Sequence, residues 1–352
     1  MVNSRRLKQA LPFLLVVLLT AFIIIDLVSG PIGLKQQIHA SDVFQILASH
    51  LGLVHRQSSE TVRASDFIVW ELRTPRVLAG LVVGMLLAMA GVAFQSFLMN
   101  PLADPYMIGV SAGSALGSAT IILIGGTGWL IGLAQPVAAF ASGIATMALI
   151  SLLARRNGRV SAQTFLLAGF VVGTFVYSIT RLLIALSNRG NDTSKASAIL
   201  SQLLGSLQTA HWTDIWLMAP FGIVGAIVLM KSHSELNLMT LGEESAAHLG
   251  VDTERFKARV IIAGSMVTAA TVAVAGIIGF VGMVVPHLAR RIVGPDHRRL
   301  LPCSMLLGAA VLLIADWFSR VCLNELEVGV ITSIVGAPVF CYLLRTKLVS
   351  RW

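Results

Sequence analysis

Apolar runs long enough to span a bilayer recur along the whole chain, broken by short clusters of arginine and lysine. That pattern confines the fold more than any other feature. A membrane-crossing helix needs about 20 mostly apolar residues, and its backbone polar groups must be satisfied within the segment itself. The charged fraction of 12% points the same way, since soluble domains carry about 25% charged residues; the mean hydropathy is +0.82. The chain is therefore expected to be an all-α polytopic membrane protein, a single transmembrane domain over residues 1–352.

Ten crossings are predicted, at 11–28, 77–99, 106–124, 129–153, 164–186, 212–230, 260–275, 279–292, 301–318 and 328–344. Arg5, Arg6 and Lys8 ahead of the first run resemble the start of a signal peptide, but no small-x-small cleavage site follows, so the run is read as a retained helix. An external loop at about 29–72 includes SDVFQILASHLGL, expected to form a short amphipathic surface helix. ASAILSQLLGSL (196–207) is expected to be a short helix that does not cross, and a tight turn is expected at 125–128.

Charge sets the orientation. With the N-terminus cytoplasmic, seventeen of the 26 Lys and Arg residues fall inside, as the positive-inside rule requires. Both termini are then cytoplasmic. The same clustering explains the net charge of +9 without invoking nucleic acid. Lys35, Arg56, Arg73 and Arg76 are among the charges left outside, against the rule.

Residues 71–117 concentrate these signals. Arg73 and Arg76 flank Pro75, a glycine-dotted apolar run follows, and Asn100, Pro101, Asp104 and Pro105 form a polar break. The stretch is expected to supply the wall, the gate and the docking edge of a transport path. Small residues four apart, as in Gly80/Gly84 and Gly109/Gly113/Gly117, allow close helix approach, which in lipid is itself a source of association. MAGVAFQSFLMNPLADP and VAGIIGFVGMVVPHLAR share enough pattern to suggest an inverted repeat, a known transporter architecture.

Other motifs argue against chemistry in this chain. Gly109-Val110-Ser111-Ala112-Gly113 matches the GxSxG of a nucleophile elbow, but that elbow needs a strand, a sharp turn and partner residues. Here it opens an apolar helix, so Ser111 is read as a packing residue and an intramembrane hydrolase as a distant alternative. No GxxxxGK[ST] phosphate loop occurs, and no train of acidic residues marks ion coupling. Energy is expected from a partner; a stand-alone secondary carrier is the rival. Cys303, Cys322 and Cys341 lack metal or disulfide spacing. Asp26 is expected to snorkel at a span end, and Asp316 to pair with Arg320 on one face. Arg181 has two readings, a snorkelling residue or a cavity cation for an anionic substrate. Residues 232–256 form a cytoplasmic segment rich in Leu236, Leu238, Met239, Leu241 and Leu249, expected to be a helix–Gly–helix docked in a groove of a soluble partner.

At RTPRVLAG…MAGVAFQSFLMNPLADPYMIGVSAGSALG, LGEESAAHLGVD, GIIGFVGMVVPHLARRIVGPDHRRLLP, LLIADWFSR and GVITSIVGAPVFCYLL, the chain resembles the permease subunits of bacterial ABC importers for iron chelates, haem and vitamin B12. These motifs follow one another from about residue 69 to 344. The resemblance implies a type II importer fold with ten spans, a second permease subunit (an identical copy or a close paralogue), two cytoplasmic ATPases and an external binding protein, in the bacterial cytoplasmic membrane. ATP and Mg would bind the ATPase partner, with no cofactor on this chain. Arg73, Arg76 and Arg320 match outward arginines that receive acidic residues of the binding protein. Asn100 and Leu102 match an inner gate, and Ser161 and Ala162 a second gate loop, although Ala162 stands where relatives can carry a hydroxyl. Leu238, Leu241, Gly242, Glu243 and Gly250 match the segment that grips the ATPase. The cargo implied is an iron chelate, foremost a ferric siderophore, with haem or cobalamin as alternatives.

Overall fold

The computed structural model describes residues 2–29, 38–54, 60–125, 129–156, 159–189 and 193–345. Residues 126–128 of the expected turn, and the charges Lys35, Arg56, Lys347 and Arg351, lie outside the described residues. Helix α1 (Val2–Val28) is followed by α2 (Ala40–His50) and α3 (Glu60–Asp66), and a π-helical stretch, Phe67–Arg73, runs directly into α4 (Thr74–Phe97). A 3-10 turn (Pro105–Ile108) leads to α5 (Val110–Ile124) and α6 (Trp129–Ala154). The short antiparallel strands β1 (Arg155–Arg156) and β2 (Arg159–Val160) then lead to α7 (Ala162–Arg189). Next come α8 (Thr193–Leu204), α9 (Trp212–Lys231), α10 (His233–Met239), α11 (Glu243–His248) and α12 (Thr253–Ala275). Helices α13 (Val281–Val293), α14 (His297–Cys322) and α15 (Val328–Arg345) complete the described chain.

Among the described residues, six helices are long and apolar enough to cross a membrane, and three shorter apolar helices cover Leu14–Val28, Val110–Ile124 and Val328–Leu343. The remaining expected crossing is α13, whose last turn carries Arg290 and Arg291. The second crossing differs from expectation at its start: it continues backward as unbroken helix from α4 through the π turn into α3.

Helix α4 is the core of the bundle. It is enclosed by α14, α12, α13 and α9, and nearly every residue from Thr74 to Phe97 on it is buried. A Cβ on Gly84 would fall on the Gly308 carbonyl of α14, and one on Gly91 on the Gly282 carbonyl of α13. Such contacts let backbones pack without an intervening side-chain layer. The glycines of α4 at these positions serve packing, while Leu78, Leu81, Val82 and Met85 remain half-buried along one face of the helix. Gly91→Ala is expected to overpack this contact at about 1–3 kcal/mol, lowering the thermal midpoint in detergent. Gly279→Ala, where an added Cβ meets nothing within 4 Å, should leave the midpoint unchanged.

The two stretches read as a repeat have different structures. The first keeps Ala90 and Gly91 inside α4, whereas the second ends α12 at Ala275 and turns at Gly276, with φ +66°. They pack on each other through Gly91 and Gly282, but are not local copies.

The chain between α4 and α5 folds back along α4. Pro105 and the Leu87 carbonyl both neighbour Gly282, and Leu87 lies ten residues, about 15 Å of helix, before Phe97. The Asp104 carboxylate accepts from the Tyr106 N–H at 3.1 Å and from the Phe280 N–H at 3.2 Å. It thus joins this loop to the start of α13.

The expected surface helix in the external loop is α2, with Val43, Ile46 and Ala48 buried. The His50 ring stacks on Trp70 at 4.1 Å, Trp70 meets Trp212 at 4.9 Å, and the Trp212 indole N–H donates to the Trp70 carbonyl at 2.9 Å. The loop is thereby pinned to the ends of α4 and α9. Helix α8 is the expected short helix.

Candidate functional site

The two ends of α4 carry different chemistry. At the end where it begins, three arginines meet three acids. Arg76 donates from Nε to both oxygens of Asp316 at 3.0 Å and from Nη2 to Oδ1 at 3.0 Å, and its Nη1 reaches Glu325 at 3.4 Å. Arg320 bonds the side chain of Asp26 and, at 2.9 Å, the Asp26 carbonyl. Arg73 donates to the Leu27 and Val28 carbonyls at 2.7 and 2.9 Å. It therefore satisfies the open carbonyls at the end of α1, where a cation is also favoured by the helix dipole.

This corrects three expectations. Asp26 does not snorkel but is fully buried. Asp316 and Arg320 share a face of α14, yet each reaches across to another helix, α4 and α1 respectively. Arg73, Arg76 and Arg320 are not presented as free outward cations: all are buried, and three positive charges face three negative ones. Glu325 is the accessible member, with its side chain 43% exposed, and holds a left-handed φ of +65° beside Asn324 at +49°. Such a conformation is uncommon outside glycine and concentrates at functional sites.

At the other end, Phe97 packs edge-on against Phe165 of α7 at 5.4 Å. This brings the segment after α4 next to the segment before α7, so the two expected gate segments share one end of the bundle. Asn100 accepts the Leu102 N–H on its side-chain oxygen at 2.9 Å. Its neighbour Met99 takes a φ of +45°, and Leu102 is exposed. Ser161 is exposed, and its carbonyl starts α7 by accepting from the Phe165 N–H; Ala162 is half-buried.

The expected helix–Gly–helix is present here as α10 and α11. Gly242 has φ +101° and ψ 151°, and Gly250 φ +91°, values that favour glycine. The leucines expected to dock outward divide into two sets. Leu236 and Met239 are buried in this chain's own core, Leu238 packs partly against it, and Leu241 and Leu249 are 62% and 60% exposed. Glu243 opens α11 and pairs with Lys257 at 2.5 Å. Close by, a hydrogen bond from the Asn237 amide, then one from the Arg298 N–H, holds the exposed Asp296 carboxyl below the ordinary carboxylate range.

Arg181 is exposed on α7, with its guanidinium 4.7 Å from the centroid of the Tyr177 ring. Ser111 is buried on α5. The turn before it is 3-10, closed by a left-handed Gly109, and not the strand a nucleophile elbow needs. Among the described residues, no cluster of His, Cys, Asp or Glu suits a metal ion. A cavity of about 440 Å³, walled by residues that include Asp104, Tyr106, Phe280 and Ser333, opens beside the folded-back loop. Its lining, mostly apolar with Asp104 and Ser333 among it, was not foreseen in the sequence, because it converges from several separate segments.

The profile of the FecCD transport family matches residues 10–346. The chain belongs to that family. It is 42% identical over 283 residues to the cobalamin import system permease protein BtuC of Halobacterium salinarum, covering 80% of this chain and 74% of the relative. It is 33% identical over 340 residues to the Fe(3+)-citrate import system permease protein YfmE of Bacillus subtilis, covering 96% of each. A solved inward-facing structure of a metal-chelate type ABC transporter superposes with a TM-score of 0.80 at 28% identity, covering 96% of this chain and 99% of the other. The chain is thus the permease subunit of an ABC importer, a multi-pass protein of the cytoplasmic membrane, and not itself an ATPase. Permeases of this class assemble with ATPase subunits and a binding protein.

Proposed function

We propose that the chain is the permease of an ATP-driven importer of iron chelates, foremost a ferric siderophore, working beside a second permease subunit. The observation that carries this reading is the exposed pair Leu241 and Leu249 on a segment turned by Gly242 and Gly250, at the end that also holds both candidate gate segments. That is an attachment face for an external motor placed where the motor's movement is needed. The Lys and Arg residues near it, including Lys231, Arg255 and Arg259, support a cytoplasmic reading of this end and of both termini.

A loaded binding protein engages the opposite end, at Arg73, Arg76 and Arg320. Since these are internally paired, an incoming carboxylate gains access by replacing Glu325 on Arg76, the most exposed link of the network. ATP-driven closure of the ATPases then moves α10–α11 and changes the gate at Asn100 and Leu102 and at Ser161 and Ala162. Cargo passes unaltered. Arg181, exposed beside Tyr177, is the cation this path offers an anionic chelate.

The iron(III)-citrate and metal-chelate relatives support an iron chelate; the cobalamin relative supports the second reading, a corrinoid cargo. An uptake panel in cells lacking this chain separates them. Restored uptake of labelled ferric siderophore, with none of cobalamin or haem, is expected; restored cobalamin uptake alone selects the second reading.

A further inference from the structure

Two buried polar side chains run from the α10–α11 segment to the two gate segments, one to each. The first is Lys257, near the start of α12 and 4% exposed at its side chain. Its ammonium donates to the Val160 carbonyl at 2.9 Å, to Glu243 at 2.5 Å and to Glu254 at 2.9 Å. These three acceptors use all three of its donors. Glu254 returns a second bond, accepting the Val160 N–H at 3.1 Å. Both backbone polar groups of Val160 are therefore held, and the next residue is Ser161.

The second is His297, at the start of α14. The Asn237 amide of α10 donates to Asp296 at 2.9 Å, which turns its oxygen toward His297. That oxygen accepts the His297 backbone N–H at 2.9 Å and lies 2.7 Å from Nδ1. Nδ1 therefore carries the ring hydrogen, leaving Nε2, 2.6 Å from the Ser96 hydroxyl, to share that hydroxyl's single proton with the Val92 carbonyl. That hydroxyl also lies 2.9 Å from the Val92 carbonyl. Ser96 is on the last turn of α4, four residues before Asn100.

We propose that Lys257 and His297 are positioning residues that transmit movement of α10–α11, Lys257 to the Ser161–Ala162 loop and His297 to the Asn100–Leu102 loop. The proposal rests on reading α10–α11 as the ATPase-facing segment. Anchorage alone is already supplied by Leu236, Met239 and Ala246, all buried. Burying an ammonium is costly unless it is fully bonded, whereas short directional bonds fix relative position along a defined line. On the gate side of the His297 link stands Met99, whose left-handed φ of +45° gives the loop a backbone setting with an ordinary alternative.

The test uses the whole importer, with its ATPases and binding protein, reconstituted in liposomes, and reads ATP hydrolysed per labelled cargo molecule imported. Lys257→Met and His297→Leu are each expected to raise that ratio by about fivefold or more, with the ATPase rate retained; Lys257→Arg should recover part of the loss. Ser96→Ala and Glu254→Gln remove single bonds from each link, and should raise the ratio by about twofold even where the larger variants fail to assemble. An unchanged ratio in these variants, including a parallel fall of hydrolysis and import, overturns the proposal. A wild-type importer that hydrolyses ATP without importing any cargo of the panel overturns the underlying functional reading instead.

Discussion

Replacing Arg76 with alanine is expected to cost the folded chain about 3–5 kcal/mol, because it strands the Asp316 carboxylate without a partner in a buried setting. Asp316 is fully buried, and each of its oxygens lies 3.0 Å from the Arg76 guanidinium. The pair joins α4 to α14 and so fastens the core helix at one end. A lower thermal midpoint and yield in detergent should report the loss. Adding Asp316→Leu should recover much of it, since a buried ion pair can often be exchanged for apolar residues at little net cost; a double variant no more stable than Arg76→Ala would count against the explanation. The same burial bears on docking. Charge reversal at Arg73 and Arg76 would weaken uptake through misfolding as well as through lost docking. Glu325→Gln is the cleaner variant, because it releases Arg76 for a visiting carboxylate while leaving Asp316 paired, and tighter binding of the loaded binding protein is expected.

Gly242→Val is expected to abolish productive coupling while leaving the permease assembled. At φ +101° and ψ 151°, a β-branched residue is strained by about 1–3 kcal/mol, and the junction between α10 and α11 relaxes elsewhere. Among the described residues, nothing lies within 4 Å of an added Cβ, so no internal clash interferes. The change falls instead on the orientation of α11, and with it on Leu249 and on the Glu243 bond to Lys257. Uptake should fall by about tenfold or more, far beyond the modest fall in thermal midpoint that the backbone strain itself brings. Unimpaired coupled uptake would remove the segment from the coupling path.

The crossings were legible because apolar run length is a one-dimensional quantity, and the helix–Gly–helix because glycines mark its turns. Three-dimensional partnerships were not. The excess of Arg73 and Arg76 at one end was visible in the charge pattern, but their burial depends on Asp26, Asp316 and Glu325, which lie 50 residues upstream and about 240 downstream in the sequence. The i, i+4 spacing of Asp316 and Arg320 suggested a local pair, and cross-helix partners prevailed. Glycine spacing in α4 signals close approach without saying whether the partner helices enclose it; here Gly308 and Gly282 on two sides make it core. Lys257 and His297 gave no signal at all, since their meaning lies in Val160, Asn237 and Ser96, each from a distant segment. The substrate is similarly hidden, as a path lined by dispersed side chains leaves no contiguous motif.

The central claim is that transport through this chain is driven by ATP hydrolysed in a partner. The direct measurement is cargo accumulation in liposomes holding the chain with and without its ATPase subunits, with binding protein and labelled ferric siderophore supplied on the opposite side. Accumulation only when the ATPases and ATP are both present is the expected result. Accumulation by the chain alone under a proton or sodium gradient would contradict it and establish a secondary carrier.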